Sequence, residues 1–242
     1  MMPAYDSLAR HYDAVTGDAT AEAAFIHGII ERRHSQATSL LDVACGTGAV
    51  TALLSGAYQV SGLDISPGML AVAREKLPEE TPLYPADMTS FRLNVKFDVI
   101  LCAYQGINHL LSFPAWEKSF DRVYEHLDEG GMFVFDVATV GHLRRMASIP
   151  HVVEQFADNY LVIRVRTADE MVFDWQIEVF ELQSDGRYRL LTQTVKLRSF
   201  PLAAIQDALS ARFADIEILR DGGNSADEES TDRVWFACTK PA

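Results

Sequence analysis

The sequence has no long apolar run and no apolar signal segment. A membrane-spanning helix needs about 20 mostly apolar residues, and a secretory signal needs an apolar core of about 7–15. No stretch of the chain has the first property, and the N-terminal segment carries Asp6, Arg10 and Asp13 where the second would lie. We therefore expect a cytoplasmic protein with no membrane partner.

Cysteine and positive charge are both scarce. The three cysteines, Cys45, Cys102 and Cys238, are odd in number and far apart, which is typical of reduced thiols and not of a disulfide framework. The formal net charge is −13, and no basic patch stands out. Such a surface repels phosphate backbones, so we expect no nucleic-acid partner. The seven histidines show no ligand spacing with cysteines or acids, and we expect no metal site.

Short apolar segments alternate with helical patterns over the first 140 residues or so. The predicted strands are 39–44, 58–64, 83–86, 96–104 and 131–138, and the predicted helices are 20–33, 47–55, 66–77 and 113–127. We expect Thr47 to cap one helix, Ser66 followed by Pro67 to begin another, and the glycines of "EGG" to end the last. Alternation of this kind predicts an α/β fold with a parallel sheet and helices on both faces.

The pattern changes after residue 150. Segments 159–167, 171–183 and 187–200 are rich in β-branched and aromatic residues, and "SDGR" is a hairpin turn signal. We predict an antiparallel β meander, then a helix over 201–213 and two strands at 215–219 and 233–240 around a mobile polar loop. The predicted domains are a core of residues 1–140 and 199–242 and an insertion of residues 141–198, which we expect to be the substrate module.

Polar residues follow five of the predicted strands. In parallel sheets, ligands bind beyond the carboxyl ends of the strands. One rim therefore receives 42–48, Asp64, Asp87, 103–109 and Asp136.

The stretch "LLDVACGTGAV" forms a Gly-x-Gly turn behind an acid. A similar turn binds the pyrophosphate of dinucleotides, but that pattern has a small residue where this chain has Thr51, and Asp42 carries the wrong charge for it. S-adenosylmethionine (SAM) fits better, because it has an ammonium group, a sulfonium and a ribose diol but no phosphate. Asp42 can attract its amino-acid end, Gly46 and Gly48 leave room, and Asp64 can accept hydrogen bonds from the ribose.

Residues after the second and third strands complete this predicted site. Ile65 and Met69 can flank an adenine, and Asp87 can accept a hydrogen bond from its amino group. Cys45 and Cys102 have no neighbouring base in the sequence and are interpreted as small buried side chains.

The sequence resembles the class I SAM-dependent methyltransferases. Five stretches resemble the family's motifs in order, namely "LDVACGTG", "GLDISPGML", "ADM", "FDVILCAYQGINHL" and "LDEGGMFVFDV". The resemblance implies a Rossmann-like seven-stranded sheet and adds Met88 and Ala103 to the cofactor site. Ala44 stands where the family usually has glycine, which should tighten the turn.

Two further stretches resemble a bacterial small-molecule branch of that family, which includes amino-sugar N-methyltransferases. They are "YDSLARHYD" and the meander followed by "LRSFPLAAIQDAL". In that branch a tyrosine covers the cofactor, which points to Tyr5 or Tyr12. The alternative for these two is a core stripe of a short helix.

The resulting hypothesis is a SAM-dependent methyltransferase that acts on N or O of a small molecule. A SAM-binding sensor without methyl transfer is the alternative, and a nicotinamide oxidoreductase is disfavoured by Thr51 and Asp42. The catalytic candidate is His109, as the base for an amine acceptor or else as a structural hydrogen-bonder. The substrate candidates are Tyr104, Asn108 and Trp175, the last with a core position as its alternative. The oligomeric state stays open, and one arrangement is a homodimer through the β insertion.

Overall fold

The computed structural model describes residues 5, 6, 8–220 and 229–242. Its helices are α1 (Ala9–Thr16), α2 (Thr20–His34), α3 (Ala49–Leu54), α4 (Pro67–Lys76), α5 (Phe113–His126), α6 (Val140–Ser148) and α7 (Leu202–Ser210), with a 3-10 helix at Gly106–His109. Its strands are β1 (Ser39–Val43), β2 (Gln59–Asp64), β3 (Leu83–Pro85), β4 (Phe97–Cys102), β5 (Leu127–Ala138), β6 (Val152–Phe156), β7 (Asn159–Asp169), β8 (Val172–Leu182), β9 (Tyr188–Arg198), β10 (Asp215–Arg220) and β11 (Arg233–Thr239).

Seven strands form one sheet in the order β10-β11-β5-β4-β1-β2-β3. The five strands β3, β2, β1, β4 and β5 run parallel to one another. Strand β11 is antiparallel to β5, and β10 is antiparallel to β11. The strand order reverses beside β1, which has β2 on one side and β4 on the other. Open α/β sheets bind ligands at such a reversal point. The predicted fold class is confirmed.

Helices cover both faces of this sheet because its central strands are apolar on both sides. In β5, Phe133 and Phe135 belong to the core that includes α5 and α7, whereas Val134 belongs to the core under α2, α3 and α4. Ile100 and Leu101 of β4 divide in the same way. Alternate side chains of a strand point to opposite faces, so a continuous apolar run is buried on both.

Two predicted helix boundaries differ from the structure. Thr47 does not cap α3, because its hydroxyl donates to Asp13 and the N-cap residue is Gly48. The "EGG" glycines lie inside β5 and not at the end of α5, because Leu127 already pairs with Phe97 of β4. Ser66 does cap α4, accepting from the Met69 amide ahead of Pro67 at the first turn.

The late strands form a second, antiparallel sheet in the order β6-β7-β8-β9. The sequence interpretation missed β6, whose side chains are exposed or half-buried, and α6 before it. Leu8 packs against β7, β8 and β9, and Leu143 of α6 packs against Phe173 and Leu197. The second sheet therefore packs against the N-terminal segment and against α6, which follows β5 of the central sheet. The domain boundaries and the homodimer stay predictions.

Residues 221–228 of the predicted mobile loop lie outside the described residues. Across the described ranges, no helix is long and apolar enough to cross a membrane.

Gly48 provides a test of how tightly the first turn is packed. Its φ is +71°, and a Cβ there would lie 3.0 Å from the Cβ of Ala73 in α4. We expect Gly48→Ala to lower the free energy of unfolding by about 1–2 kcal/mol for the left-handed backbone and a further 1–3 kcal/mol for overpacking. Gly186→Ala is the control, since Gly186 in the hairpin turn has a φ of +80° and no atom within 4 Å of a built Cβ. Equal losses in denaturant titrations of the two variants would contradict the packing account.

Candidate active site

A cavity of about 540 Å³ opens at the carboxyl ends of β1, β2 and β4. Ligand pockets in proteins usually have about 300–1,000 Å³. The predicted residues that line it are Tyr5, Tyr12, Ala44, Gly46, Asp64, Ile65, Met69, Asp87, Met88, Ala103, Tyr104 and His109. Sequence reasoning missed the others, which are Leu63, Ala86, Gly106, Leu110, Leu111 and the β9 residues Thr194, Val195 and Lys196.

Asp64 organises the near wall of the cavity. One carboxylate oxygen accepts the Gly46 amide at 2.9 Å, and the other accepts the Ser66 amide at 2.8 Å. The carboxylate therefore holds the glycine turn and the start of α4 together, and burial raises its pKa. A carboxylate offers about four lone-pair positions, so Asp64 retains capacity for hydroxyl donors in the cavity.

Ala44 and Gly46 form the floor of the glycine turn, both in the left-handed region with φ of +58° and +54°. A Cβ built on Gly46 would meet no atom within 4 Å, so the glycine leaves open space beside the cavity. A Cβ built on Gly106 would lie 2.9 Å from the Cβ of Ala44. The methyl group of Ala44 therefore occupies space that Gly106 leaves free.

Asp42 and Gly48 do not line the main cavity. Asp42 borders a small adjoining pocket with Tyr12 and Tyr104, and its Oδ2 accepts the Thr51 hydroxyl at 2.6 Å. Burial raises the pKa of Asp42 to about 7. Gly48 points away from both spaces and packs on Ala73. The absence of a side chain at Gly48 therefore allows α4 to pack closely against the turn, and it does not enlarge either cavity.

The third strand end supplies Asp87. Its Oδ1 accepts both the amide and the hydroxyl of Thr89 at 2.7 Å, which fixes the turn after β3. Ile65 is 56% exposed across the cavity mouth, and Met69 is buried. An apolar slot with a carboxylate at its edge is the arrangement expected for a flat, amino-bearing ring.

The far wall is aromatic. The ring of Tyr5 stands edge-on to Tyr12, with centroids 5.3 Å apart, and edge-on to His109, with centroids 5.5 Å apart. His109 forms a hydrogen bond with the backbone of Lys196, and burial lowers its pKa to about 4. Burial also raises the pKa values of both tyrosines. All three rings are therefore uncharged near neutral pH.

Two substrate candidates are not brought to the cavity. Asn108 is fully buried, donates to the carbonyl oxygens of Ala138 and Arg198, and accepts the Ala138 amide. It fastens the loop after β4 to the ends of β5 and β9. Trp175 lies in the packing between the second sheet and its neighbours. No cluster of three potential metal ligands occurs among the residues for which positions are given.

Comparison with known proteins agrees with this geometry. Residues 40–131 match a family model described as a methyltransferase domain. A dTDP-3-amino-3,4,6-trideoxy-alpha-D-glucopyranose N,N-dimethyltransferase of Streptomyces venezuelae is 35% identical over 49% of this chain and 50% of that relative. This alignment therefore spans half of the relative's length.

Solved structures match over nearly the whole chain. A SAM-dependent methyltransferase from Clostridium acetobutylicum ATCC 824 has a TM-score of 0.86 at 22% identity, covering 98% of this chain and 99% of that one. A SAM-bound amino pentose methyltransferase from Micromonospora echinaspora has a TM-score of 0.74 at 25% identity, with coverage of 95% and 94%. Residues 40–131 therefore form a methyltransferase domain, and the chain as a whole has the fold of SAM-dependent methyltransferases and resembles the amino-sugar N-methyltransferases.

The buried carboxyl group of Asp42 gives a pH test of the site. Its pKa is about 7 in the folded protein and about 3.9 in an unfolded chain, so its contribution to stability falls as pH rises between those values. Asp42→Asn keeps an oxygen for the Thr51 hydroxyl and cannot ionise. We expect the difference in unfolding free energy between the variant and the wild type to shift in favour of the variant by at least about 1 kcal/mol as the pH rises from about 5 to about 8. Denaturant titrations at the two pH values measure this shift.

Asp98 provides a control of opposite sign. Although burial opposes ionisation there, hydrogen bonds from Thr38 and Ser39 lower the pKa of this carboxyl group. Asp98→Asn should therefore lose stability relative to the wild type at neutral pH and recover as the pH falls through the folded-state pKa. A flat pH difference for Asp42→Asn would show that burial does not raise the pKa of Asp42.

Proposed function

We propose that the chain transfers a methyl group from SAM to N or O of a small-molecule acceptor. The observation that carries the proposal is one continuous cavity whose wall includes Asp64 and Asp87 on one side and His109 and strand β9 on the other. A cofactor site and an acceptor site that share a wall are what direct transfer requires. The resemblance to the Streptomyces dimethyltransferase, named for an amino sugar, favours an amine on a sugar as acceptor.

The cofactor side follows from the chemistry of the lining. Asp64 would accept the ribose hydroxyls, Asp87 the adenine amino group, and Ile65 with Met88 would cover the ring. Asp42 faces the adjoining pocket, where a cationic amino-acid group would offset its buried charge. Gly46 leaves the space through which that end would pass.

SAM supplies, when bound, a methyl group already activated by its sulfonium. The protein has to align the acceptor, exclude water and leave the acceptor lone pair free. Proximity and orientation supply roughly 7–11 kcal/mol of barrier lowering in such reactions. Tyr5 and Tyr12 cover the cavity with uncharged rings, and Val195 with Leu110 adds apolar surface on the acceptor side. This lining excludes water from the reacting atoms.

His109 would orient the acceptor through its neutral imidazole. Its hydrogen bond to the Lys196 backbone fixes one side of the ring against β9. A pKa of about 4 makes it a weak proton acceptor from an amine, because an efficient base has a pKa near the working pH. Positioning is therefore the role that we assign to it.

Ligand-dependent stability tests the function. SAM at about 100 times its dissociation constant should add about 2.7 kcal/mol to the unfolding free energy, and NAD should add nothing. Asp64→Ala should lose this increment relative to its own ligand-free state, because a charged acceptor is missing. Asp98→Ala is the matched control, since Asp98 contacts Thr38 and Ser39 at the opposite end of β1 and should keep the increment.

Turnover separates an enzyme from a sensor. Incubation with SAM and a panel of dTDP-amino sugars, followed by mass spectrometry, should show N-methylated product. Stabilisation by SAM without product from any amine or hydroxyl acceptor would favour a SAM-binding sensor. Stabilisation by NAD alone would refute the cofactor side.

The pH profile of a His109 variant distinguishes positioning from proton transfer. His109 is neutral throughout about pH 6–9, so His109→Ala should lower kcat by a similar factor, about 10- to 100-fold, across that range. SAM affinity should change little. His109→Gln should recover part of the rate, because its amide can still hydrogen-bond the Lys196 backbone. A loss that shrinks as pH rises would instead identify His109 as the base.

A further inference from the structure

One acid of the rim has no place in the proposed mechanism. Asp136, at the end of β5, is completely buried and lines neither the main cavity nor the adjoining pocket. Its Oδ1 accepts the backbone amide of Gln105 at 2.9 Å. Its Oδ2 has no hydrogen-bond partner and lies 3.7 Å from a guanidinium nitrogen of Arg233, which is itself paired with Glu22. A buried carboxylate with one bond and one distant cation is costly to keep.

The bond that it makes falls on an unusual turn. Tyr104 and Gln105 both have left-handed backbone, with φ of +53° and +60°. Left-handed backbone is strained in residues other than glycine, and here two consecutive residues adopt it. Such strain persists only where the surrounding structure holds the backbone in place. Within the turn, Gly106 donates to the Ala103 carbonyl at 3.3 Å, which is a long hydrogen bond. The bond to the Asp136 carboxylate is the shorter, charge-assisted one.

This turn forms a wall of the site. Ala103, Tyr104, Gly106 and His109 line the main cavity, and Ala103 and Tyr104 also line the pocket that contains Asp42. The Tyr104–Gln105 turn therefore lies at the junction of the two spaces. A change in its backbone would move the ring of Tyr104 and the start of the 3-10 helix that carries His109.

We propose that Asp136 is a positioning residue that holds the Tyr104–Gln105 turn in its left-handed form and so sets the wall shared by cofactor and acceptor. The proposal rests on the proposed function only in assigning the acceptor to this cavity. Asp136 touches no reacting atom and acts through the Gln105 amide.

Three variants separate this role from general stabilisation. Asp136→Leu removes the acceptor atoms, and Asp136→Asn keeps an oxygen for the Gln105 amide. Asp136→Leu combined with Gln105→Gly relieves the side-chain strain at one of the two left-handed positions. The probe is S-adenosylhomocysteine (SAH), the demethylated product, measured by calorimetry. Hydrogen exchange of the Gln105 amide, followed by NMR, reports the bond itself.

We expect Asp136→Leu to weaken SAH binding about tenfold and to speed Gln105 exchange at least as much, because a charge-assisted hydrogen bond is lost. Asp136→Asn should stay within about threefold of the wild type in both readouts. Adding Gln105→Gly should restore part of the SAH affinity without restoring amide protection. Merely structural damage would not be repaired by a glycine in the turn.

Several results would overturn the proposal. Wild-type SAH affinity in Asp136→Leu would do so, as would equal damage from Asn and Leu, which would assign the effect to the charge facing Arg233. If Asp136→Leu does not fold, Asp136→Ser replaces it, since its hydroxyl is too short to reach the amide. If the wild type binds SAH but transfers no methyl group, the proposed function is refuted. The SAH affinities of the wild type and the Asp136 variants would still test the positioning role of Asp136.

Discussion

The carboxylate of Asp64 joins the segments on which the rest of the site depends. It accepts the amide of Gly46 from the turn after β1 and the amide of Ser66 at the start of α4. Ser66 in turn caps α4 and donates its hydroxyl to Asp6 of the N-terminal segment. Asp6 also accepts the Gly68 amide. One strand end therefore sets the glycine turn, the first turn of a helix and the segment that covers the cavity.

Burial of acids is the cost of this arrangement. Asp42, Asp64 and Asp136 lie at or near the carboxyl ends of β1, β2 and β5, and burial raises the pKa of each. Each carboxylate is partly satisfied by a hydroxyl or backbone amide, and Asp136 also lies 3.7 Å from a guanidinium nitrogen of Arg233. When ionised, these groups give the strand ends a negative potential at low dielectric constant, which favours a cofactor that carries ammonium and sulfonium charge over a cofactor whose phosphates would lie beside them.

The central sheet was predictable because its strands are apolar runs separated by turn signals. A strand that is buried on both faces is apolar at every position, so it can be identified without an alternation of polar and apolar residues. Strand β6 was not predicted, since its five side chains, three of them apolar, are exposed or half-buried and form neither a continuous apolar run nor an alternation. The first turn shows a subtler limit. Asp42 and Gly48 were grouped with Gly46 by closeness in sequence, but Asp42 points toward Thr51 of α3 and Gly48 toward Ala73 of α4. Which way each points depends on helices packed above the turn.

The far wall shows the same limit at longer range. Thr194, Val195 and Lys196 line the cavity only because the second sheet packs beside the loop after β4, some 85 residues earlier in the chain. Nothing in "TQTVK" itself indicates a ligand site. His109 was found because it follows a strand end, but its depressed pKa depends on burial beneath β9, which no local pattern reveals.

Ala44 and Gly106 occupy one space between the turns after β1 and β4. A side chain on one excludes a side chain on the other, because their Cβ atoms would be 2.9 Å apart. Substitutions at positions 44 and 106 are therefore coupled, although the two positions follow strands that are adjacent in the sheet and distant in the chain. Glycine at position 44 would remove one of the two contacts that restrict position 106, and the sulfur of Cys102, 3.0 Å from the same Cβ, would still have to shift. In sequences that keep alanine at 44, both contacts favour glycine at position 106.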